Sequence, residues 1–210
     1  MAITTTQRTD ILTATVAMFG ASAGGYLSEL TDIFTANGSD MTKFMTALSG
    51  TTAYKNLYPS YLTNSEKAIK MAAAYGLTDT TTAGSAGKQA YDYFLAGINA
   101  NKNDGAMFAE ANAFLATTTD AAFTTTKTLL NNKTAVAEYY SVTLASTSKD
   151  LTTLQSSVST VTATTDVSTP TAIAAVIAGT AAATTGLTFS LTTSIDTITG
   201  TAGNDTFNAV

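Results

Sequence analysis

Apolar residues recur every three to four positions through residues 7–145, and this spacing limits the fold more than any other feature of the chain. Leu12, Val16 and Phe19 share one stripe of a helix, and Leu30 and Phe34 share another in the next segment. Strict alternation of apolar and polar residues, the pattern of a half-buried strand, is absent from this stretch. The sequence therefore predicts a mainly α, multi-helix domain.

Capping residues and small-residue breaks divide this stretch into separate helices. Asp40 is placed to cap one apolar segment, and Thr63 with Glu66 has the spacing of a capping box. Thr169 and Pro170 are suited to be the cap and first residue of an alanine-rich helix that extends to about residue 183. Between these points, further helices are predicted over 85–99, 105–116, 120–130 and 132–144, with one more in the Ser/Thr-rich stretch that follows.

The helical part consists of two loosely repeated halves. The tripeptide Ser22-Ala23-Gly24 recurs as Ser85-Ala86-Gly87, and Phe44 is matched by Phe108. Residues 37–40 are matched in the same way by residues 101–104. The offset drifts along the chain, which favours duplication followed by small insertions.

The pattern changes near residue 185. Residues 187–191 alternate apolar and polar side chains, which predicts the first strand of the chain. We therefore divide the sequence into a helical domain over 1–185 and a strand-bearing segment over 186–210.

A glycine and aspartate motif lies in this second segment. Gly200, Gly203, Asp205 and Phe207 stand in the order Gly-x-x-Gly-x-Asp-x-Phe. The motif resembles one turn of the nonapeptide repeat that forms calcium-binding parallel β-rolls in secreted RTX proteins, with Thr201 where a second glycine is usual. The resemblance implies that Gly200, Thr201, Gly203 and Asp205 hold calcium, with Asp205 supplying the hard carboxylate oxygen that this ion prefers. It also implies that the segment contains the first strands of such a β-roll.

The longer string from Leu191 to Phe207 resembles a junction in Gram-negative surface-layer (S-layer) proteins, where a helical N-terminal domain meets calcium-binding repeats. Residues 7–182 also resemble a helical module of bacterial surface and secreted proteins, most closely over 131–140, although the tryptophan usual in that module is missing. The resemblance implies a structural protein that anchors a crystalline coat of its own copies to the outer membrane by binding lipopolysaccharide, often its O-antigen. It further implies type I secretion and a place on the cell surface.

Charge and residue usage argue against several other classes of function. The net charge is −5 with ten Lys+Arg and no basic cluster, which disfavours nucleic-acid binding. The chain has no Cys and no His, so thiolate catalysis and the usual general base are missing and we expect no enzymatic activity. No apolar run is long enough to cross a bilayer. The start of the chain lacks a signal-peptide pattern, so we expect export through a C-terminal signal on a longer protein.

Tyrosines beside lysines and amides are the candidate carbohydrate contacts. Aromatic faces can stack on the C–H faces of sugar rings, and neighbouring polar groups can bond hydroxyls. The candidates are Tyr54, Lys55, Tyr58, Tyr61, Lys133, Tyr139 and Tyr140. Tyrosines at helix ends also serve as half-buried core residues, so a core position is the competing interpretation for each of them.

The helical part also fits a different kind of secreted protein. Its amphipathic helices suit a lateral-interaction module of another RTX-secreted adhesin. Such a module would self-associate without binding glycan, so solution size and glycan binding together distinguish it from an S-layer anchor.

Residues 99–110 have nearly the ligand order of an EF-hand loop, ending on Glu110. Gly105, however, stands one place too late for the sharp turn that such a loop makes. A polar loop between helices, capped by Asp104, is the simpler interpretation of this segment.

Overall fold

A computed structural model describes residues 3–184, 188–190 and 206–208, and α-helices account for most of them. The prediction of a mainly α protein is confirmed. In chain order the helices are α1 (Thr5–Phe19), α2 (Leu27–Ala36), α3 (Met41–Ser49), α4 (Thr52–Leu57), α5 (Asn64–Ala74), α6 (Ala86–Asn99), α7 (Asp104–Thr117), α8 (Thr124–Glu138), α9 (Leu151–Ser159) and α10 (Pro170–Thr184). Short 3-10 turns precede α2 and α8, and a π-helical turn, Tyr139–Thr143, follows α8 directly.

The helix starts predicted from Asp40 and from the Thr63–Glu66 capping box are confirmed by their hydrogen bonds. At the start of α5 the N–H of Glu66 donates to the Thr63 hydroxyl (3.2 Å), while the Thr63 N–H donates to the Glu66 carboxylate (2.8 Å). The Asp40 carboxylate accepts from the N–H of Lys43 at the start of α3 (3.0 Å). These bonds satisfy N–H groups that the first turn of a helix leaves without partners.

The prediction of separate helices over 120–130 and 132–144 is wrong, because α8 runs unbroken through residues 131 and 132. Asparagine is disfavoured in helix interiors when its side chain competes for hydrogen bonds to nearby backbone groups. Here the buried Asn132 amide instead donates to the carbonyls of Thr162, Ala163 and Thr165 at 3.0–3.2 Å. The side chain therefore joins α8 to the loop after α9 and leaves the helix intact.

The core is built around α1, whose buried side chains include Ile11, Leu12 and Val16. This helix packs against α8 and α7, while α3 packs on α7 and α5 on α6. The α3–α7 pair comes especially close at Gly105, where an added Cβ would overlap the carbonyl of Met45. The pair brings together corresponding helices of the two sequence halves.

Past the helical part, β1 (Thr188–Ser190) and β2 (Thr206–Asn208) pair in parallel, with Thr188 opposite Thr206. The predicted calcium ligands Gly200, Thr201, Gly203 and Asp205 lie outside the described residues. In the described part of the chain, every helix is too short or too polar to span a membrane.

Candidate functional site

Tyr54 and Tyr58 belong to the core, which corrects their expected role as sugar contacts. Their side chains are 2% and 8% exposed, and their rings stack on each other at 4.6 Å. The Tyr54 hydroxyl donates to the Asp104 carboxylate (3.2 Å), which also pairs with Lys67 (2.6 Å). Burial raises the pKa of both phenols well above the usual value. No open ring face remains on either tyrosine for a sugar to stack on.

The other predicted sugar contacts fall into two groups. Lys55 is exposed on α4, and Tyr61, in the following loop, is 83% exposed. Lys133, Tyr139 and Tyr140 are half-buried on α8 and its π-helical turn, and burial lowers the pKa of Lys133. Among the described residues, no hydrogen bond or ring contact joins the two groups.

A cavity of about 370 Å³ lies where α6 and α7 meet the end of α5 and the 3-10 turn Ala121–Phe123. Its wall is mostly apolar and aromatic, with Gln89 and Glu110 as its polar members. We call it the aromatic cleft, and its lining is Tyr75, Leu77, Gln89, Ala90, Tyr93, Phe94, Glu110, Ala111, Phe114, Leu115 and Phe123. Small-molecule sites typically combine this size with an apolar wall and a few polar groups.

The floor of the aromatic cleft is fixed by two buried rings. Tyr75 and Phe94 lie nearly parallel, with their centroids 6.2 Å apart. The Tyr75 hydroxyl donates to the carbonyl of Phe108 (3.2 Å) and to the side-chain oxygen of Asn112 (2.8 Å), both on α7. These bonds tie the end of α5 to α7, so the floor has a defined shape.

The rim carries two large rings that remain open to solvent. Tyr93 is 38% exposed and Phe114 is 46% exposed. Phe114 packs edge-on against Phe123 with centroids 5.0 Å apart, and Tyr93 packs against Phe94 at 5.2 Å. Each rim ring is therefore held by a neighbour while part of its surface stays accessible.

Glu110 connects the rim to the loop between α6 and α7. Its carboxylate accepts from the Tyr93 hydroxyl (2.6 Å) and from the Lys102 ammonium. The hydrogen bond from Lys102 is the largest cause that lowers the pKa of Glu110, and the bond from Tyr93 is the second. Burial and the Glu110 bond raise the pKa of Tyr93, so the phenol keeps its proton and donates.

The same contacts decide between the two interpretations of residues 99–110. The Lys102 ammonium, which comes from within this loop, pairs with the carboxylate of Glu110, where an EF-hand would place the ion. In this structure only residues 100–103 form the loop between the helices, and residues 104–110 are the first turns of α7. Its cap is Asn103, which accepts from the N–H of Ala106 (3.2 Å), rather than Asp104 as expected.

Tyr93 and Phe114 are not among the binding residues predicted from the sequence. A signal for Tyr93 exists in residues 91–94, where Tyr91, Tyr93 and Phe94 place three aromatics within four positions of a helix. Such a helix cannot turn all three rings toward one core, because successive residues are about 100° apart. No comparable signal marks Phe114.

Comparison of the chain with protein families, curated proteins and solved structures finds no match.

Proposed function

We propose that this protein is a structural S-layer component whose helical domain binds a neutral glycan in the aromatic cleft, and so attaches the coat to lipopolysaccharide O-antigen. The observation that carries the proposal is the pair of half-exposed rings, Tyr93 and Phe114, over a rigid aromatic floor. Catalysis plays no part in this role.

The cleft has the chemistry that a sugar ring needs. The exposed parts of the Tyr93 and Phe114 rings present weakly negative surfaces to the C–H groups of a sugar. The Lys102 ammonium lies over the Tyr93 ring, 5.9 Å from its centroid. One oxygen of Glu110 takes the bonds from Tyr93 and Lys102, and the second oxygen is left to accept from a hydroxyl. The Gln89 amide adds a polar group at the same wall. A volume of about 370 Å³ lies within the usual range for a small-molecule site.

We propose that calcium binds in the segment after the helical domain. We assign it to Gly200, Thr201, Gly203 and Asp205, in the first turn of a β-roll. The parallel pairing of β1 with β2 supports this assignment, because strands stacked one turn apart in a β-roll pair in parallel. Export by a type I route would place the protein on the cell surface among other copies of itself.

The test is binding to purified smooth and rough lipopolysaccharide of the source strain, with calcium and with chelator. We expect binding to the smooth form. We expect Tyr93→Ala and Phe114→Ala each to weaken it at least about fivefold, as truncation of a central contact does. Tyr26→Ala, which removes an exposed ring on the turn before α2, is the matched control and should bind as the parent does.

Three results would contradict the proposal or redirect it. Equal binding of rough and smooth forms would exclude the O-antigen as the ligand. Loss of binding in Tyr61→Ala, with Tyr93→Ala unaffected, would move the sugar site to the loop after α4. Self-association of the protein without any glycan binding would favour the lateral module of an adhesin.

A further inference from the structure

A second cavity, of about 380 Å³, lies along the opposite flank of α7, between α1, α3 and α8. Its floor is apolar and includes Met45, Leu115 and Leu130, all buried. Its walls carry polar side chains, and we call it the polar groove. The polar members that matter here are Asp10, Asn112, Lys127 and Asn131.

Several polar groups in the groove are left to bind a ligand. The side-chain oxygen of Asn112 accepts from Tyr75, so its NH₂ group is left to donate. Asp10 and Asn131 form no side-chain hydrogen bond within the described part of the chain, and partial burial raises the pKa of Asp10. Lys127 is already engaged, because its ammonium donates to the carbonyls of Ala116 (3.0 Å) and Thr118 (3.4 Å).

These groups match a neutral polyhydroxyl ligand. A carboxylate accepts from hydroxyls, and amide NH₂ groups donate to them. The single carboxylate of Asp10 is balanced by the single ammonium of Lys127, so the groove favours neither an anion nor a cation. The thioether and leucine floor suits the C–H face of a sugar ring.

The polar groove and the aromatic cleft lie on two flanks of α7 and are connected through it. Leu115 lines both, and the Tyr75–Asn112 hydrogen bond joins the floor of the cleft to the wall of the groove. On the exposed surface of α7, Ala113 lines the polar groove and the next residue, Phe114, lines the aromatic cleft.

We propose that the polar groove is a second saccharide subsite and that a single glycan chain crosses α7 to occupy both cavities. This inference rests on the proposed glycan binding in the aromatic cleft. Once one unit is held in the cleft, the next units stand at a high effective concentration over the groove. Affinity therefore rises with the length of the glycan.

The test measures affinity for O-antigen fragments of increasing length, released from smooth lipopolysaccharide. In the parent protein we expect the longer fragments to bind at least about tenfold more tightly than the shortest. The double variant Asp10→Ala/Asn131→Ala should bind the shortest fragments normally and lose the gain with length. Asp32→Ala, an exposed aspartate on α2, is the matched control, and circular dichroism confirms that each variant is folded.

The outcomes separate this inference from the proposed function. If Tyr93→Ala weakens binding at every length while the groove variant keeps the full gain, the second subsite is excluded and glycan binding in the cleft stands. If the groove variant weakens the shortest fragments as strongly as the longest, the groove residues belong to the first binding site and the two-subsite arrangement is excluded. If no fragment binds the parent protein, both proposals fail together.

Discussion

Each tyrosine takes its role from its burial and from the partner of its hydroxyl. Tyr54 bonds to Asp104 inside the core, while Tyr93 bonds to Glu110 at the rim of the aromatic cleft. Tyr93 keeps 38% of its surface exposed, and its hydroxyl bond makes the rim depend on the charge state of the Glu110 carboxylate.

We expect the proposed glycan binding to depend on pH through the Glu110 carboxylate. Its pKa in the folded protein is lowered from the ordinary 4.5, so its full contribution is present above about pH 4.5 and is lost as the pH falls through the lowered value. Because the pair is exposed, we expect a loss of about twofold to fivefold in affinity. Affinity measured between neutral and acid pH, with helix content followed by circular dichroism, checks this. In Glu110→Gln the acid loss should disappear, and an unchanged profile in that variant would rule out this residue as its cause.

We expect loss of the uncharged Asn132 side chain to have a large effect on stability. Asn132→Ala leaves the carbonyls of Thr162, Ala163 and Thr165 without the amide that binds them, in a partly buried setting. We expect the free energy of unfolding to fall by about 1–3 kcal/mol, measured by urea denaturation. Asn131→Ala, on the adjacent exposed position, should change it by less than about 0.5 kcal/mol. Equal losses in the two variants would contradict the assigned role of the Asn132 amide.

Between helices, the closest packing is that of α3 on α7, and it depends on Gly105. In Gly105→Ala the new methyl group would overlap the Met45 carbonyl, and backbone atoms cannot move aside as a flexible side chain can. We expect a loss of about 1–3 kcal/mol in the free energy of unfolding. Gly179→Ala in α10 is the matched control, since no described atom lies within 4 Å of an added Cβ there. The control should gain up to about 1 kcal/mol from helix propensity, so the same sign in both variants would contradict the prediction.

Sequence patterns predicted the helices well because caps and apolar periodicity act locally. The capping box at Thr63 and the Asp40 cap need only residues three positions away. The continuity of α8 was not predictable in this way, because the partners of Asn132 lie about 30 residues further along the chain. The aromatic cleft was missed for the same reason, since its walls come from four separate segments that only tertiary packing brings together.

At the scale of the whole molecule, both cavities depend on α7. It meets α3 at the Gly105 crossing and α1 and α8 across the core, while its two flanks form the aromatic cleft and the polar groove. A shift of this helix would change both cavities at once. Damage at the α3–α7 crossing is therefore expected to weaken glycan binding even though Gly105 lines neither cavity.

The net charge of the protein makes the expected salt dependence different for the proposed O-antigen binding and for binding to the phosphates of lipopolysaccharide. With a net charge of −5 and ten Lys+Arg, the protein has little long-range attraction for an anionic surface. Stacking and hydrogen bonds to the neutral hydroxyls of a sugar act at contact and are hardly screened by salt. With calcium held constant, we expect affinity for smooth lipopolysaccharide to change less than about twofold between low and high sodium chloride. A steep fall with salt would instead identify phosphate groups as the ligand, and Tyr93→Ala should then leave the affinity unchanged.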